Sequence, residues 1–259
     1  MTPTWQWLDR MHLRARFIQS YVHHGCVGAL VEFGLESRYV TVHPAFLELS
    51  RSLAAHIAYS NPDSLDALLQ QAHFNDPAVN VQKALADASG RLGTSVTVTR
   101  FIRWSNEPRT SAAALMSAKD PPLGKKPVLG CLLSLIAGRS LDEVYPQVWF
   151  IESFADGSLG VLVEFGLETW RATERSEFLE LSHALAKWIG AINPESLDAL
   201  LRHAIGEDPT RTVEKLLAVL SRIQGERISV TRFVRWECLP DHAPVPPKDP
   251  AVTVRLKRA

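Results

Sequence analysis

The chain has 259 residues, 46% of them hydrophobic, and its 28 lysines and arginines balance its 28 aspartates and glutamates. A chain of this length and composition can bury a core in one or two domains, and its neutrality argues against broad electrostatic binding to nucleic acid. Neither an apolar run long enough to span a bilayer nor a Lys/Arg-led signal peptide is predicted. Cys26, Cys131 and Cys238 are an odd number of cysteines, which is typical of a reduced cytoplasmic protein without a disulfide framework.

A β-hairpin is predicted near the start of the chain, after an apolar lead-in over residues 1–16 that has the spacing of a short helix. Residues 17–23 and 27–34 are rich in apolar and β-branched side chains and are predicted to be strands. The turn between them contains Gly25, at a place where a positive φ can be required.

Three helices are predicted to follow the hairpin. The first has one apolar face, because its apolar residues recur at steps of three and four. The residues on that face are Phe46, Leu49, Leu53 and Ile57. Asn61-Pro62 is predicted to end this helix, because a proline disfavours helical dihedrals in the residue before it. The same pair can also start the second helix, and Asp76-Pro77 the third, with Asn or Asp as the N-cap and Pro at the first helical position. Gly93 is placed to end the third helix.

An alternating strand at residues 95–104 closes the unit. The residues predicted to share its buried face are Val96, Val98, Ile102 and Trp104. Arg100 is the misfit among them. Either a bulge turns Arg100 elsewhere, or its aliphatic stem packs while the guanidinium group finds a partner.

The whole pattern occurs twice. Gly28 matches Gly160 and Trp104 matches Trp236, in both cases 132 positions later. Solenoid repeats are about 20–50 residues long, so this period indicates the duplication of a small domain. We therefore predict an α+β fold of two tandem two-layer units, each a three-stranded antiparallel sheet (β-β-α-α-α-β) covered by helices.

The duplication also predicts the domain boundaries. Residues 1–104 form the first unit with its lead-in, and residues 148–240 form the second. Residues 105–147 are predicted to be a linker, with an apolar helical segment at 128–136. Residues 241–259 are a proline-rich tail with a basic end, predicted to be extended.

Several motifs point to a known family. They are residues 19–23 and 27–32, residues 53–58 with Asn61-Pro62, residues 93–103, and in the second copy residues 160–164, Asn193-Pro194 and residues 225–235. Together they span most of both repeats and resemble the core, or dimerisation, domain of bacterial elongation factor Ts. The resemblance implies subdomains used in pairs, which bind elongation factor Tu and help it to release GDP without covalent chemistry or a cofactor.

The resemblance also implies which residues contact the partner. After the second strand the family carries a Glu-Thr-Asp-Phe motif, whose acidic and aromatic residues enter the partner. The partner-binding residues at the matching positions here are Glu36, Arg38 and Tyr39 in the first copy and Glu168, Trp170 and Arg171 in the second. An aromatic residue is retained in each loop, but the acid is replaced by Arg38 or displaced by Trp170. The chain also departs from the family in residues 1–16, which are too short for its usual N-terminal helical module, and lacks the long coiled-coil insertion of some members.

A second candidate binding surface is basic. Arg100, Arg103, Arg232 and Arg235 could form a stripe for an acidic partner or RNA. Solvated strand edges and internal ion pairs explain the four arginines equally well.

Two further groups of residues could carry chemistry. His23, His24 and Cys26 have the ligand types of a metal site, although an ordinary hairpin turn explains them more simply because the second copy has other residues there. Glu32 and Glu164 could be paired catalytic carboxylates, or one ancestral surface residue that was copied. The chain has no phosphate-binding glycine loop, nucleophile elbow or zinc-protease motif, so neither an enzyme nor a metal or cofactor is predicted.

Three hypotheses about function follow. The first is a cytoplasmic, non-enzymatic protein that binds elongation factor Tu and promotes GDP/GTP exchange in translation elongation. The second is a repurposed interaction scaffold, or a clamp of elongation factor Tu without exchange activity. The third, a metal-dependent enzyme at the first hairpin turn, requires bound zinc. We expect a monomer whose two repeats pack as a pseudo-dimer, with no membrane partner.

Overall fold

A computed structural model describes residues 15–73, 76–106, 148–206 and 208–238. In these ranges the chain forms two halves, each with a three-stranded antiparallel sheet and helices, so the predicted α+β class is confirmed. The elements of the first half are β1 Ala15–His23, β2 Val27–Leu35, α1 Pro44–Ser60, α2 Leu65–Gln70, β3 Ala72–His73, β4 Asp76–Asn80, α3 Val81–Leu92 and β5 Val96–Ser105. Those of the second half are β6 Val148–Ala155, β7 Leu159–Leu167, α4 Ser176–Ile192, α5 Leu197–Arg202, α6 Val213–Gln224 and β8 Ile228–Glu237.

Each sheet has its second strand in the middle. The orders are β1-β2-β5 and β6-β7-β8, and all neighbours are antiparallel. All nine residues of β2 are buried, although successive side chains of a strand point to opposite faces. Val31 and Phe33 pack against the helices of their own half, whereas Leu30 packs against the sheet of the other half. The two sheets therefore cover one another.

The contact between the halves is reciprocal. Its core contains Ile18 and Leu30 from the first half and Ile151 and Leu162 from the second, all fully buried. Two backbone hydrogen bonds flank this core. The amide of Ile18 donates to the carbonyl of Gly157 at 2.8 Å, and the amide of Ile151 donates to the carbonyl of Gly25 at 2.7 Å. Each edge strand is thus joined to the hairpin turn of the other half, which partly protects an otherwise open sheet edge.

The long helices end where predicted, at Asn61 and Asn193, but the expectation that these residues also start the next helices is wrong. Asn61 and Asn193 do not cap the next helix; they end α1 and α4 in the left-handed conformation, with φ of 45° and 48°. Asn tolerates this conformation because its short polar side chain can form local hydrogen bonds. The next helices begin after Ser64 and Ser196, whose hydroxyls each accept a hydrogen bond from a backbone amide at 3.1 Å.

The third helix of each half also begins later than predicted. Asp76-Pro77 lies in the short strand β4, and α3 is capped by Asn80, whose side-chain oxygen accepts from the amide of Lys83 at 2.8 Å. In the second half Thr212 caps α6. The prediction that Gly93 ends α3 is confirmed, with φ of 64°.

A β-bulge interrupts the last strand of each sheet. Glu32 pairs with Arg100 but the next residue of β2, Phe33, pairs with Val98, so Thr99 is an extra residue in β5. The same shift leaves Thr231 extra in β8. A bulge shifts the alternation of side chains by one residue. The prediction that Val96, Val98, Ile102 and Trp104 share one face of the strand is therefore wrong. Val96 and Val98 face the helices, and Ile102 and Trp104 face the other half.

Several predicted segments lie outside the described residues. They are the lead-in except for Ala15 and Arg16, which begin β1, the linker from residue 107 onward with its segment at 128–136, and the tail at 241–259. Ser105 and Asn106 were predicted to begin the linker. Ser105 is instead the last residue of β5, and Asn106 follows it directly. In the described ranges no helix has both the length and the apolar character needed to cross a bilayer.

The first half contains a pair of buried histidines, His56 on α1 and His73 on β3. His56 and His73 are 1% and 7% exposed, their ring planes are nearly parallel with centroids 6.1 Å apart, and His56 Nε2 lies 3.0 Å from Gln71 Oε1. Burial lowers the pKa of both histidines below its ordinary value, and this effect exceeds the opposing ones of Gln71 on His56 and of Asp76 on His73.

Because of these two histidines, we expect the protein to be less stable in mild acid than at neutral pH. The folded state takes up fewer protons than the unfolded state as the pH falls below about 6.5, so the free energy of unfolding decreases in that direction. We expect urea titrations to give a lower free energy of unfolding at pH 5.5 than at pH 7. His56→Phe should flatten this dependence, whereas His203→Gln, at an exposed position, should leave it unchanged. If the free energy of unfolding depended on pH equally in all three proteins, the effect would not come from the buried histidines.

Candidate partner-binding surface

Two related loops follow the central strands of the sheets. Each forms a short 3-10 turn, at Arg38–Val42 and at Trp170–Glu174. A hydroxyl begins each turn: Ser37 Oγ accepts from the amide of Tyr39 at 3.4 Å, and Thr169 Oγ1 accepts from the amide of Arg171 at 3.1 Å. The two loops therefore have the same backbone plan, as their positions in the repeat require.

Carboxylates fasten both loops to the segment that precedes the last strand. Glu36 accepts a hydrogen bond from the amide of Ser95 at 3.2 Å. In the second half Glu226 accepts from the amide and the hydroxyl of Thr169 at 2.9 and 2.7 Å, while Glu168 lies 3.9 Å from Arg227. The hydrogen bonds of Glu36 and Glu226 thus position the loops, and Glu168 adds a long ion pair at the surface.

The loops present different side chains to solvent. Tyr39 is 84% exposed, the most exposed of the large hydrophobic residues in the described ranges. Arg171, the matching residue of the second copy, is also exposed. An aromatic ring therefore projects from the first loop at the position where a cation projects from the second.

The other two predicted residues, Arg38 and Trp170, occupy matching positions with different surroundings. Arg38 is exposed, and its carbonyl accepts a hydrogen bond from Thr41 Oγ1 at 2.8 Å. Trp170 is partly buried and packs against the helix-side cores of both halves. Of the predicted residues in the second loop, Arg171 is the one that projects, while Trp170 helps to join the loop to both halves.

The four arginines of the predicted basic stripe lie on two faces. Arg103 Nε donates to the carbonyl of Ala58 at 2.7 Å, and Arg235 Nε donates to the carbonyl of Gly190 at 2.9 Å. Both carbonyls belong to the last turns of long helices, where a cation is favourable. Arg100, by contrast, points to the other half. The structure therefore gives Arg103 and Arg235 a role in holding the helices, and the four side chains do not form one continuous stripe.

A buried carboxylate explains Arg100. Glu32 is 3% exposed and receives hydrogen bonds from Arg16 at 2.5 Å, from Thr99 Oγ1 at 2.7 Å and from the Nε and Nη2 atoms of Arg100 at 2.8 and 2.6 Å. The guanidinium group of Arg100 also stacks on the ring of Trp236 in the other half, 4.3 Å from its centroid. Thr99, the extra residue of the bulge, thus donates a hydrogen bond to Glu32.

The second half repeats this arrangement. Glu164, 5% exposed, accepts from Thr231 Oγ1 at 2.6 Å and from Arg232 at 2.5 Å, and Arg232 stacks on Trp104 of the first half at 4.3 Å. The interpretation of the two glutamates as copied surface residues is therefore wrong. They are buried where the sheets meet, and the neighbouring arginine and threonine occupy their oxygens, which does not suit paired catalytic acids.

The first hairpin has the geometry of a turn. His24 and Gly25 have φ of 47° and 71°, and His23 Nδ1 lies 2.7 Å from the hydroxyl of Tyr59. Across the described ranges no three histidine, cysteine, aspartate or glutamate side chains converge as metal ligands do. Burial raises the pKa of the Cys238 thiol to about 12, which keeps it protonated.

Comparison with known proteins gives a consistent answer over part of the chain. No protein-family model matches it. Elongation factor Ts of Herminiimonas arsenicoxydans is 36% identical over 124 residues, and that of Ralstonia nicotianae is 37% identical over 124 residues; each match covers 48% of this chain and 41% of the relative. Elongation factor Ts of Clostridium perfringens is 26% identical over 218 residues, or 81% of this chain and 70% of the relative. The chain thus spans less than half the length of the first two relatives, and it is similar in sequence to proteins named elongation factor Ts.

Proposed function

We propose that this chain is a cytoplasmic, non-enzymatic protein that binds elongation factor Tu, with Tyr39 as its main anchor. The similarity to elongation factor Ts supports the partner. The observation that carries the proposal is the 84% exposure of Tyr39 at the tip of a loop held by hydrogen bonds.

The geometry of the first loop suits an anchor residue. Tyrosine is enriched among interface residues with large contributions to binding, and its two side-chain torsions lose little entropy when it docks. Because Ser37 and Glu36 already fix the backbone beneath it, little further ordering is needed on binding. Arg171, at the matching position of the second loop, is proposed as a separate polar contact.

The arrangement of the halves supports a fixed distance between these two contacts. The reciprocal stacking of Arg100 on Trp236 and of Arg232 on Trp104 joins the sheets. We propose that the chain is a monomer whose two repeats form a pseudo-dimer, so that the loops are held as one body. Light scattering at micromolar concentration should give the mass of one chain; a stable dimer would contradict this part of the proposal.

Nucleotide exchange requires more than binding. A partner accelerates GDP release only if it binds the nucleotide-free state more tightly than the GDP-bound state. We propose exchange as the first function, in line with the similarity to elongation factor Ts. A second candidate, a clamp that binds without exchange, is favoured by one observation: a cation, Arg38, occupies the position at which the family carries an acid.

One experiment separates these functions. Release of fluorescent GDP from elongation factor Tu of the same organism is followed with and without this protein, and a pull-down is made from the same mixture. Accelerated release supports exchange. Binding without acceleration supports the clamp, and the absence of both refutes the proposal.

Removal of the Tyr39 side chain is expected to weaken binding strongly. Tyr39→Ala should raise the Kd for elongation factor Tu by about 30-fold, because loss of a well-placed aromatic anchor costs about 2 kcal/mol. Tyr39→Phe should retain most of the affinity, and Glu48→Ala, on an exposed face of α1, should retain all of it. Calorimetric titration measures the effect, and a change below threefold would contradict the role of Tyr39.

Restoring an acid in the first loop tests the exchange step alone. Arg38→Asp returns the charge that the family carries there, so it should increase the rate of GDP release if the chain is an exchange factor. If the chain is a clamp, the rate should stay unchanged while the complex still forms. Arg38→Gln is the matched control, because it removes the cation without supplying an acid.

A further inference from the structure

The second half has an apolar groove on its helical surface. The groove has a volume of about 440 Å³ and runs between α4, α6 and the segment after α5. The side chains that form most of its wall are Leu181, Ala184, Trp188, Ala191, Ile205 and Leu216. Val219 and Ile223, on α6, are 53% and 63% exposed, so α6 carries further exposed apolar surface.

The first half, which has the same backbone plan, lacks this apolar lining. The residues matching Ala184, Trp188, Ala191 and Ile205 are Ser52, His56, Tyr59 and His73, and those matching Val219 and Ile223 are Asp87 and Arg91. Tyr59 replaces the small Ala191 with a large ring whose hydroxyl lies 3.1 Å from that of Tyr21. The groove is therefore a property of the side chains of the second copy and not of the fold.

We propose that residues 128–136 of the same chain occupy this groove. Their sequence, Val-Leu-Gly-Cys-Leu-Leu-Ser-Leu-Ile, contains no charged residue, and the segment lies outside the described residues. Exposure of such a segment to water is unfavourable, as is exposure of the groove, and their contact removes both apolar surfaces from water.

The position of the segment in the chain makes the contact accessible. Eleven residues separate Ile136 from Val148, and a chain of that length reaches on the order of 35 Å when extended. Val148 begins β6, which packs against α4. Since α4 has 17 residues, it is about 25 Å long, and the tether reaches its whole length. A short tether also gives a high effective concentration, of millimolar order. This inference does not depend on binding to elongation factor Tu.

The natural Cys131 allows a direct test in the full chain. Cys26 and Cys238 are replaced by alanine, and Ala184→Cys is introduced in the groove. Under mild oxidation, peptide mass spectrometry should show an intramolecular disulfide between positions 131 and 184. The matched control is Ser52→Cys, at the equivalent position of the first half, which should give at least tenfold less disulfide with Cys131. Equal yields at the two positions, or no disulfide at either, would overturn the proposal.

Two further variants separate docking from chance collision. Ala191→Tyr, which copies the first half, should fill the groove and reduce the disulfide between positions 131 and 184 at least fivefold, with the circular dichroism spectrum unchanged. Leu132→Asp with Leu133→Asp should reduce it similarly and increase the binding of a hydrophobic dye, because the groove is then uncovered. Disulfide-linked dimers in place of monomers would assign the groove to a second copy of the chain and overturn the intramolecular contact.

Discussion

Glu32→Ala is expected to lower the free energy of unfolding by about 3 kcal/mol. The side chain of Glu32 is 4% exposed, and its carboxylate is the acceptor for two cations, Arg16 and Arg100. Removing one member of a buried ion pair costs about 3–5 kcal/mol, because the remaining charge is left without a partner. The lower end of this range applies because the side chains of Arg16 and Arg100 are 23% and 47% exposed and keep some hydration.

Urea denaturation at pH 7 measures this loss. Glu164→Ala should give a similar loss, since its partner Arg232 has a side chain that is 31% exposed. Glu48→Ala is the control, because Glu48 lies on the exposed face of α1 and such substitutions change stability by about 0.5 kcal/mol or less. A loss below 1 kcal/mol at both buried glutamates would show that the ion pairs contribute little to the folded state.

The buried glutamates also connect the two halves. Glu32 orients Arg100, and Arg100 stacks on Trp236 of the other half; Glu164, Arg232 and Trp104 form the reciprocal set. A cation over a tryptophan ring contributes about 0.5–1 kcal/mol at an exposed site and about 2 kcal/mol where it is desolvated. Loss of one glutamate is therefore expected to loosen the contact between the sheets as well as the sheet that contains it.

Local sequence patterns were sufficient to predict most of the secondary structure. Apolar spacing predicted α1, whose Phe46, Leu53 and Ile57 are fully buried, and the turn glycine Gly25 has the expected positive φ. The apolar face of a helix and the type of a turn depend on a few neighbouring residues, so the local sequence is sufficient to predict them. The duplication strengthened each assignment, because the same pattern had to fit two independent segments.

The bulges could not be predicted from alternation. A pattern with a period of two does not show whether an extra residue has been inserted, and Thr99 is an ordinary strand residue. The available signal was a pair of charged residues in apolar surroundings: Arg100 lay among the apolar residues of one predicted strand, and Glu32 lay in the apolar run of another. Opposite charges on adjacent strands predict an ion pair, which would have placed Glu32 in the interior.

The candidate surface was located by resemblance rather than by local pattern. The sequence indicates that both loops carry an aromatic residue, but it does not show that Tyr39 projects while Trp170 packs. The difference arises from how the halves meet, because Trp170 contacts the cores of both. Such contacts are set by tertiary structure and leave no periodic signal in the sequence.

Gly28→Ala is expected to destabilise the protein by about 2 kcal/mol, although the same change at Gly90 should stabilise it. At Gly28 a Cβ would lie 2.6 Å from Ile151 Cγ2 and 3.2 Å from Leu162 Cδ2, both in the other half. Ile151 is fully buried, and its β-branched side chain has few alternative rotamers. Overpacking of this kind costs about 1–3 kcal/mol.

Gly90 provides the matched control. It lies in α3 at an exposed position, and a Cβ there would meet no atom within 4 Å. Alanine favours a helix over glycine, so Gly90→Ala should add about 0.5–1 kcal/mol to the free energy of unfolding. Urea titrations of the two variants should therefore shift in opposite directions.

A double-mutant cycle identifies the cause of the loss at Gly28. If the added methyl group collides with Ile151, then Gly28→Ala should cost at least 1 kcal/mol less in a background that already carries Ile151→Ala. Additive losses would mean that the glycine is needed for the backbone of β2 and not for the approach of the other sheet. A coupling of the expected size would show that Gly28 sets how closely the two halves pack at this contact, and hence how far apart Tyr39 and Arg171 are held. Gly160, where a Cβ would collide with Ile18 Cγ2, is expected to act in the same way.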